Sequence, residues 1–285
     1  MATLEEVEKV MNNMKIPIII IVVIIIVLVG IYAFQDKKEY GLKTYFFNAG
    51  KADCILISNN GKYIMIDTGE ESLSTEILAY FKNNNITKLD YLIITHFDKD
   101  HVGSASKIID NIEVENVLQS NSPKESTYYD NYINSLANKN ITPQTISGDV
   151  SFNLGDLEVI VNGPETLYTS DESNNSSLIV SIKYKDTSYL FMGDSQNDRI
   201  KDYLNNHNET YDFIKIPYHG HYQKKLNNLL KTVQAKYAVI TSSNTEPEDE
   251  ETIALLKELN TAYYLTRNGS VTVLADGNEI KIKQN

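Results

Sequence analysis

Positions 16 to 34 carry no charged residue, and Ile and Val dominate the run. As a helix it would span about 28 Å at 1.5 Å per residue, close to a hydrocarbon core of about 30 Å. The run is long for a signal-peptide core, and bulky Ile31 stands where a small residue would precede a cleavage site, so the pattern predicts an uncleaved, single-pass membrane helix. This divides the chain into a short tail (1–15), a transmembrane anchor in contact with the lipid bilayer (16–34), a linker (35–41) and a body (42–285). Lys9 and Lys15 precede the run and Lys37, Lys38 and Lys43 follow it, a count that favours neither orientation strongly. The expectation is a cell-membrane protein with its body outside.

In the body the apolar runs become short and are separated by turn signals. Strands are predicted at 44–48, 54–58, 63–67, 91–95, 114–118, 157–161, 178–184, 189–192, 213–217, 238–241 and 271–274. Asn59, Asn60 and Gly61 read as a hairpin turn between the second and third. Leu73, Ile77 and Phe81 share one helical face, and further helices are predicted at 128–138, 198–207, 226–233 and 250–259. The acidic residues opening the last of these suit the positive end of a helix dipole. Hairpins followed by alternating helix and strand imply an α/β body whose sheets are covered by helices on the outside.

Composition sharpens this picture only slightly. Hydrophobic residues make up 42% and charged residues 22%, as in ordinary folded proteins, which excludes a disordered chain. The net charge of −12 gives no long-range attraction for polyanions, so a phosphate-bearing substrate would need local lysines and bound cations. A single cysteine, Cys54, excludes an intrachain disulfide and a cysteine-rich zinc module, and its apolar setting predicts a small core residue.

Candidate chemistry concentrates in THFDKDHVG, residues 95–103, directly after a predicted strand. His96, Asp98, Asp100 and His101 place four metal-competent side chains within six positions, and alternate positions on a turning loop can direct ligands to two adjacent ions. A solvated charged loop is the competing reading, but with only 5 His in the chain composition does not explain the cluster. Asp67 ends the strand-like YIMID, Asp194 follows SYLFMG, and His219 and His221 flank Gly220 in IKIPYHGH. Asn175 and Ser177 precede another strand, where either could be a plain turn residue. His207, at a predicted helix end, reads as a surface residue or cap.

The ordered set FFNAGKADCILIS, IDTG, THFDKDHVG, NNSSLIVSI, FMGD and IKIPYHG resembles the metallo-β-lactamase superfamily, and within it the branch represented by the catalytic domain of ComEC-type DNA-uptake proteins. The resemblance covers roughly residues 42 to 280 and implies a four-layer αβ/βα sandwich with metals at one edge of the sheets. It assigns His96 and Asp98 to a first metal, Asp100 and His101 to a second, Asp194 as a bridge and His219 as completing the second shell. Asp100 and Asp194 are thereby the catalytic pair. Asp67 would orient a ligand, with Asn175 and Ser177 in a supporting position behind the first metal. His221 is the alternative ligand to His219.

Two departures from the superfamily pattern stand out: Asp98 replaces a usual His, and no His lies between His101 and His207. The first metal's shell is therefore poorer and richer in oxygen, which makes Mn²⁺ a competitor of Zn²⁺ among the two divalent ions implied. The resemblance implies a metal-dependent hydrolase, a phosphodiesterase or nuclease acting through an activated water shared by the ions, with DNA as one candidate substrate. Lys51, Lys215, Tyr218 and His221 are the residues expected to meet that substrate. The same centre would serve a phosphocholine group, a lactam or a thioester, and a metal-binding interaction domain without turnover is a further alternative.

Overall fold

The computed structural model describes residues 3–6, 8, 24–25, 40–169 and 172–285. By contacts the chain falls into two units, Met1–Glu39 and Tyr40–Asn285. The predicted anchor at 16–34, Ile24 and Ile25 apart, and most of the linker lie outside the described residues. Among the described residues no helix is long and apolar enough to cross a membrane.

Among the described residues of the second unit fifteen strands build two sheets. The first sheet uses β1 (Leu42–Phe46), β2 (Cys54–Asn59), β3 (Lys62–Thr68), β4 (Lys88–Ile94), β5 (Glu113–Gln119), β6 (Gln144–Thr145), and the late strands β14 (Val271–Ala275) and β15 (Ile280–Gln284). Its order is β15-β14-β1-β2-β3-β4-β5-β6. The second is ordered β13-β12-β11-β10-β9-β8-β7 and uses β7 (Gly148–Leu154), β8 (Leu157–Gly163), β9 (Ile179–Tyr184), β10 (Thr187–Phe191), β11 (Phe213–Lys215), β12 (Tyr237–Ile240) and β13 (Ala262–Leu265). In each sheet an antiparallel half passes into a parallel half, at β3–β4 and at β10–β11.

The period of two along each strand explains the layering. Ile64 and Ile66 of β3 and Ile93 of β4 face the second sheet, whereas Met65, Leu92 and Ile94 face the outer helices Ser74–Asn83, Ala105–Asn111 and Thr127–Asn138. Val180, Tyr189, Phe191 and Val239 answer from the second sheet, while Ile179, Leu190, Ala238 and Ile240 pack beneath helices Asn197–Asn206, Leu226–Val233 and Glu250–Glu258. Phe46 meets Phe191 and Phe213 across the sandwich at ring distances of 6.3 and 5.7 Å. Strands covered on both faces read as continuous apolar runs, and Cys54 is a buried part of the outer layer of the first sheet. The result is the expected four-layer αβ/βα sandwich. β6, β7, β13 and β15 and the helix Ala105–Asn111 add to the predicted elements.

Candidate metal centre

The carboxyl ends of parallel strands and the loops leaving them carry the candidate residues: Asp67 at the end of β3, the His96–His101 segment after β4, Asp194 after β10 and His219 after β11. This end of a parallel sheet is where backbone geometry opens a crevice. The segment after β4 turns at once into the helix Lys99–Val102, which presents Asp100 and His101 inward. Gly103 lets that helix seat, because a Cβ there would lie 2.3 Å from the Lys99 carbonyl oxygen and 2.6 Å from the Glu71 nitrogen.

The loops converge on one carboxylate. Asp194 Oδ2 lies 3.3 Å from His101 Nε2 and 3.1 Å from His219 Nε2, and His219 Nε2 lies 3.4 Å from Asp100 Oδ2. One ligand atom from each of these four residues falls within 4.8 Å of all the others. His96 Nε2, His101 Nε2, His219 Nε2 and Asp194 Oδ1 are buried and make no hydrogen bond. Buried polar atoms are normally paired, so the orphaned Nε2 atoms of His101 and His219, set against the carboxylates of Asp194 and Asp100, fit a divalent cation held by these four residues.

The remaining ring nitrogens are fastened from behind, which fixes which nitrogen faces the ion. Asp67 Oδ2 takes His101 Nδ1 at 2.8 Å, and the same carboxylate accepts from the Thr95 backbone N at 2.7 Å and Thr95 Oγ1 at 2.6 Å. His219 Nδ1 lies 3.0 Å from the carbonyl oxygen and 3.0 Å from the hydroxyl of Thr241. That hydroxyl in turn donates to Asp53 Oδ1 at 2.6 Å, and Asp53 Oδ2 is paired with the ammonium of Lys215. Ser177 Oγ accepts from the Asp194 backbone N at 3.1 Å and lies 3.4 Å from His96 Nδ1. Asn175 Oδ1 accepts from the backbone of Gln196 and Arg199 at 3.2 Å each, tying down the start of the helix after Asp194. Asp67, Tyr218 and His219 all adopt left-handed backbone, with φ of 53°, 51° and 51°. Such conformations cost roughly 1 kcal/mol or more each and persist where surrounding contacts impose them.

Charge follows the same geometry. Burial acts to raise the Asp194 carboxyl, but His219 and His101 outweigh it and hold it well below the usual range. Burial acts against a charged His219, yet Asp194 and Asp100 bring its imidazole up to about 9. His101 behaves alike: burial is overcome by Asp194 and Asp67, and it rises well above an ordinary histidine. The field that makes these rings hold protons also attracts a divalent cation, which displaces them. His96, by contrast, is pushed down by burial and by the neighbouring His101.

The donors expected for a first ion are arranged differently. His96 Nε2 is 3.9 Å from Asp98 Oδ1, and neither residue joins a close-set group of three or more donors among the described residues. Asp98 Oδ1 instead accepts from Lys124 Nζ at 2.6 Å and from Ser173 Oγ. Burial would raise this carboxyl, but His96, Lys124 and Ser173 keep it below the ordinary range. As placed, these residues do not fit a second ion of equal standing.

Of the residues expected to meet substrate, Lys215 is fully buried, with its ammonium on Asp53, 3.0 Å from the Gly193 carbonyl and 3.6 Å from Asp194 Oδ1. Its place is behind the metal-facing carboxylate rather than on a surface a substrate reaches. Lys51 is half-buried and pairs with Glu246 at 3.6 Å. His221 Nδ1 lies 3.3 Å from Asp249 Oδ1 at the head of the helix Glu250–Glu258, and its ring sits 5.1 Å from that of the half-buried Tyr218. Sequence reasoning passed over Asp53, Thr95, Thr241, Lys124 and Ser173. Asp53 and Thr95 stand inside strings that carried the resemblance, but their partners are set only by the fold.

A family model for the metallo-beta-lactamase superfamily matches residues 48–242. ComE operon protein 3 of Bacillus subtilis is 25% identical over 174 residues, covering 60% of this chain and 22% of the relative. Recombination protein 2 of Haemophilus influenzae is 26% identical over 208 residues, covering 70% of this chain and 24% of the relative. The chain thus spans about a quarter of the length of these curated relatives, which support the ComEC-like branch to which its motifs point. The solved metallo-beta-lactamase fold protein YhfI from Bacillus subtilis superposes with a TM-score of 0.52 at 11% identity, covering 85% of this chain and 100% of its own. With the family model spanning more than half of its length, and with the four-layer sandwich and its edge cluster, the chain belongs to the metallo-β-lactamase superfamily and has that family's metallohydrolase fold.

Proposed function

We propose that the chain is a metal-dependent phosphodiesterase, with a nucleic acid strand as its favoured substrate. The observation that carries this reading is the buried cluster Asp100, His101, Asp194 and His219, in which the orphaned Nε2 atoms of His101 and His219 face the carboxylates of Asp194 and Asp100. When bound there, a divalent ion lowers the pKa of water toward neutrality and offsets charge building on a phosphoryl group. Two imidazoles and two carboxylates form a mixed set that suits Zn²⁺ and Mn²⁺.

The chain's own residues do the positioning. Asp67 holds the His101 ring by its far nitrogen, and Thr241 does the same for His219. Ser177 fixes the Asp194 backbone, and Lys215 balances part of the negative charge from within. Support for a phosphodiester comes from the resemblance to the ComEC-type DNA-uptake branch, with which the two curated relatives agree although this chain spans only about a quarter of each. The apolar run 16–34 supports a membrane tether, and the proposal places the body on the outer side. The same centre would cut a phosphocholine ester, a lactam or a thioester, and those define the second reading.

The purified full-length chain, loaded with Mn²⁺ or Zn²⁺, should hydrolyse both bis-p-nitrophenyl phosphate and single-stranded DNA and lose both activities on Asp100→Ala. Hydrolysis of the small ester with DNA left intact removes the nuclease reading. Turnover of a thioester, lactam or phosphocholine ester with neither phosphodiester touched moves the assignment to the second.

A further inference from the structure

We infer that Lys124 occupies the place of the first metal, so that the centre holds one tightly bound divalent ion and one ammonium in place of a matched pair of ions. This rests on the metal-centre reading above and concerns its other half. The Asp98 oxygen that faces His96 is Oδ1, and the same oxygen receives both Lys124 Nζ at 2.6 Å and Ser173 Oγ. A carboxylate oxygen offers two lone-pair positions, and here both are taken. An ion entering between His96 and Asp98 would have to displace a charge-assisted bond and a hydroxyl together. His96 contributes one orphaned nitrogen, Nε2, since its Nδ1 already faces Thr95 Oγ1 at 3.2 Å and Ser177 Oγ at 3.4 Å.

The two halves are therefore unequal in a way that the ligand names alone conceal. At Asp100, His101, Asp194 and His219 four donors converge, while the Asp98 oxygen that faces His96 is already paired with a positive charge. Lys124 reaches this place from the loop between β5 and the helix Thr127–Asn138, and its side chain remains 41% exposed. An ammonium seated on the rim keeps N–H groups that Asp98 does not use, and these can meet an anionic oxygen of a substrate. Lysine serves here as a compact point charge, a role in which ammonium and guanidinium differ.

The test is a metal titration of the full-length chain, freed of metal by chelation, with Mn²⁺ and with Zn²⁺, read by calorimetry and by bound metal after gel filtration. The wild type should take one ion tightly and any second at least about tenfold more weakly. Lys124→Met should tighten the second ion by about 10–100-fold and leave the first unchanged. Lys124→Arg should keep the single-ion behaviour, and Asp194→Ala should lose the tight ion. Two ions of equal affinity in the wild type overturn the inference, and so does an unaltered titration in Lys124→Met. Absence of any bound ion in the wild type overturns the metal-centre reading itself and this inference with it. A thermal melt confirming that Lys124→Met is folded separates loss of fold from loss of binding.

Discussion

Replacing Asp53 by alanine strips the counter-charge from a lysine that solvent does not reach. Among the described residues Lys215 Nζ would keep the Gly193 carbonyl at 3.0 Å and the Asp194 carboxylate at 3.6 Å, the latter already engaged with His101 and His219. Removing one partner of a buried ion pair costs about 3–5 kcal/mol, because the other is left charged in a poor dielectric. Losing the Thr241 hydroxyl's acceptor adds about 1 kcal/mol. For domains of 150–250 residues each kcal/mol shifts Tm by about 2–4 °C, so Asp53→Ala should melt roughly 8–24 °C below the wild type.

A denaturant titration in chelator, where metal binding adds nothing to stability, measures this directly. Lys215→Met should also destabilise, since Asp53 then lacks its cation. The double variant Asp53→Ala, Lys215→Met should be less damaged than the sum of the two by about 1–3 kcal/mol. A loss below about 1 kcal/mol for Asp53→Ala, or strict additivity of the pair, would refute the view that this buried couple props the centre.

Asp67→Asn leaves His101 with an altered partner at Nδ1 and should weaken the tight metal ion by about 10–100-fold in competition with a chromophoric chelator. An affinity within twofold of the wild type would show that Asp67 does not orient the ligand. Asp90 gives the pH dependence: burial raises its carboxyl, but the Tyr63 backbone N–H, Lys62 and Lys88 bring it below the ordinary value. A carboxyl lowered on folding stabilises above its unfolded pKa of about 3.9, and that contribution fades as pH falls through the folded value. The stability gap between wild type and Asp90→Asn should therefore be open at pH 7 and close as the pH drops below about 4, and a gap independent of pH would contradict the assignment.

Much of the sandwich was readable in the chain because its central strands are covered on both faces, so Tyr63 to Asp67 and Tyr189 to Met192 appear as apolar runs, the first ending at Asp67 and the second two residues before Asp194. β7 was harder: its alternating pattern is mostly half-exposed, and Asp149, Ser151 and Asn153 dilute the signal. The short parallel β13 offers only four residues, AYYL. At the centre, the resemblance brought forward Asp100, His101, Asp194 and His219, which the fold gathers into one cluster. The supporting residues escaped because their partners are remote: Thr241 and Asp53 are 188 positions apart, and Ser173 reaches Asp98 across 75. Lys215 shows the converse. A lysine beside a motif suggested a substrate contact, yet its neighbours Phe213, Ile214 and Ile216 belong to an apolar strand and its end, and the side chain stays inside with Asp53.

Anomalous diffraction from crystals loaded with Mn²⁺ or Zn²⁺ tests the centre most directly. The strongest peak should lie within about 2.0–2.2 Å of donor atoms from Asp100, His101, Asp194 and His219, with a weaker peak or none between His96 and Asp98. A strongest peak elsewhere, or no peak among those four side chains, would contradict it.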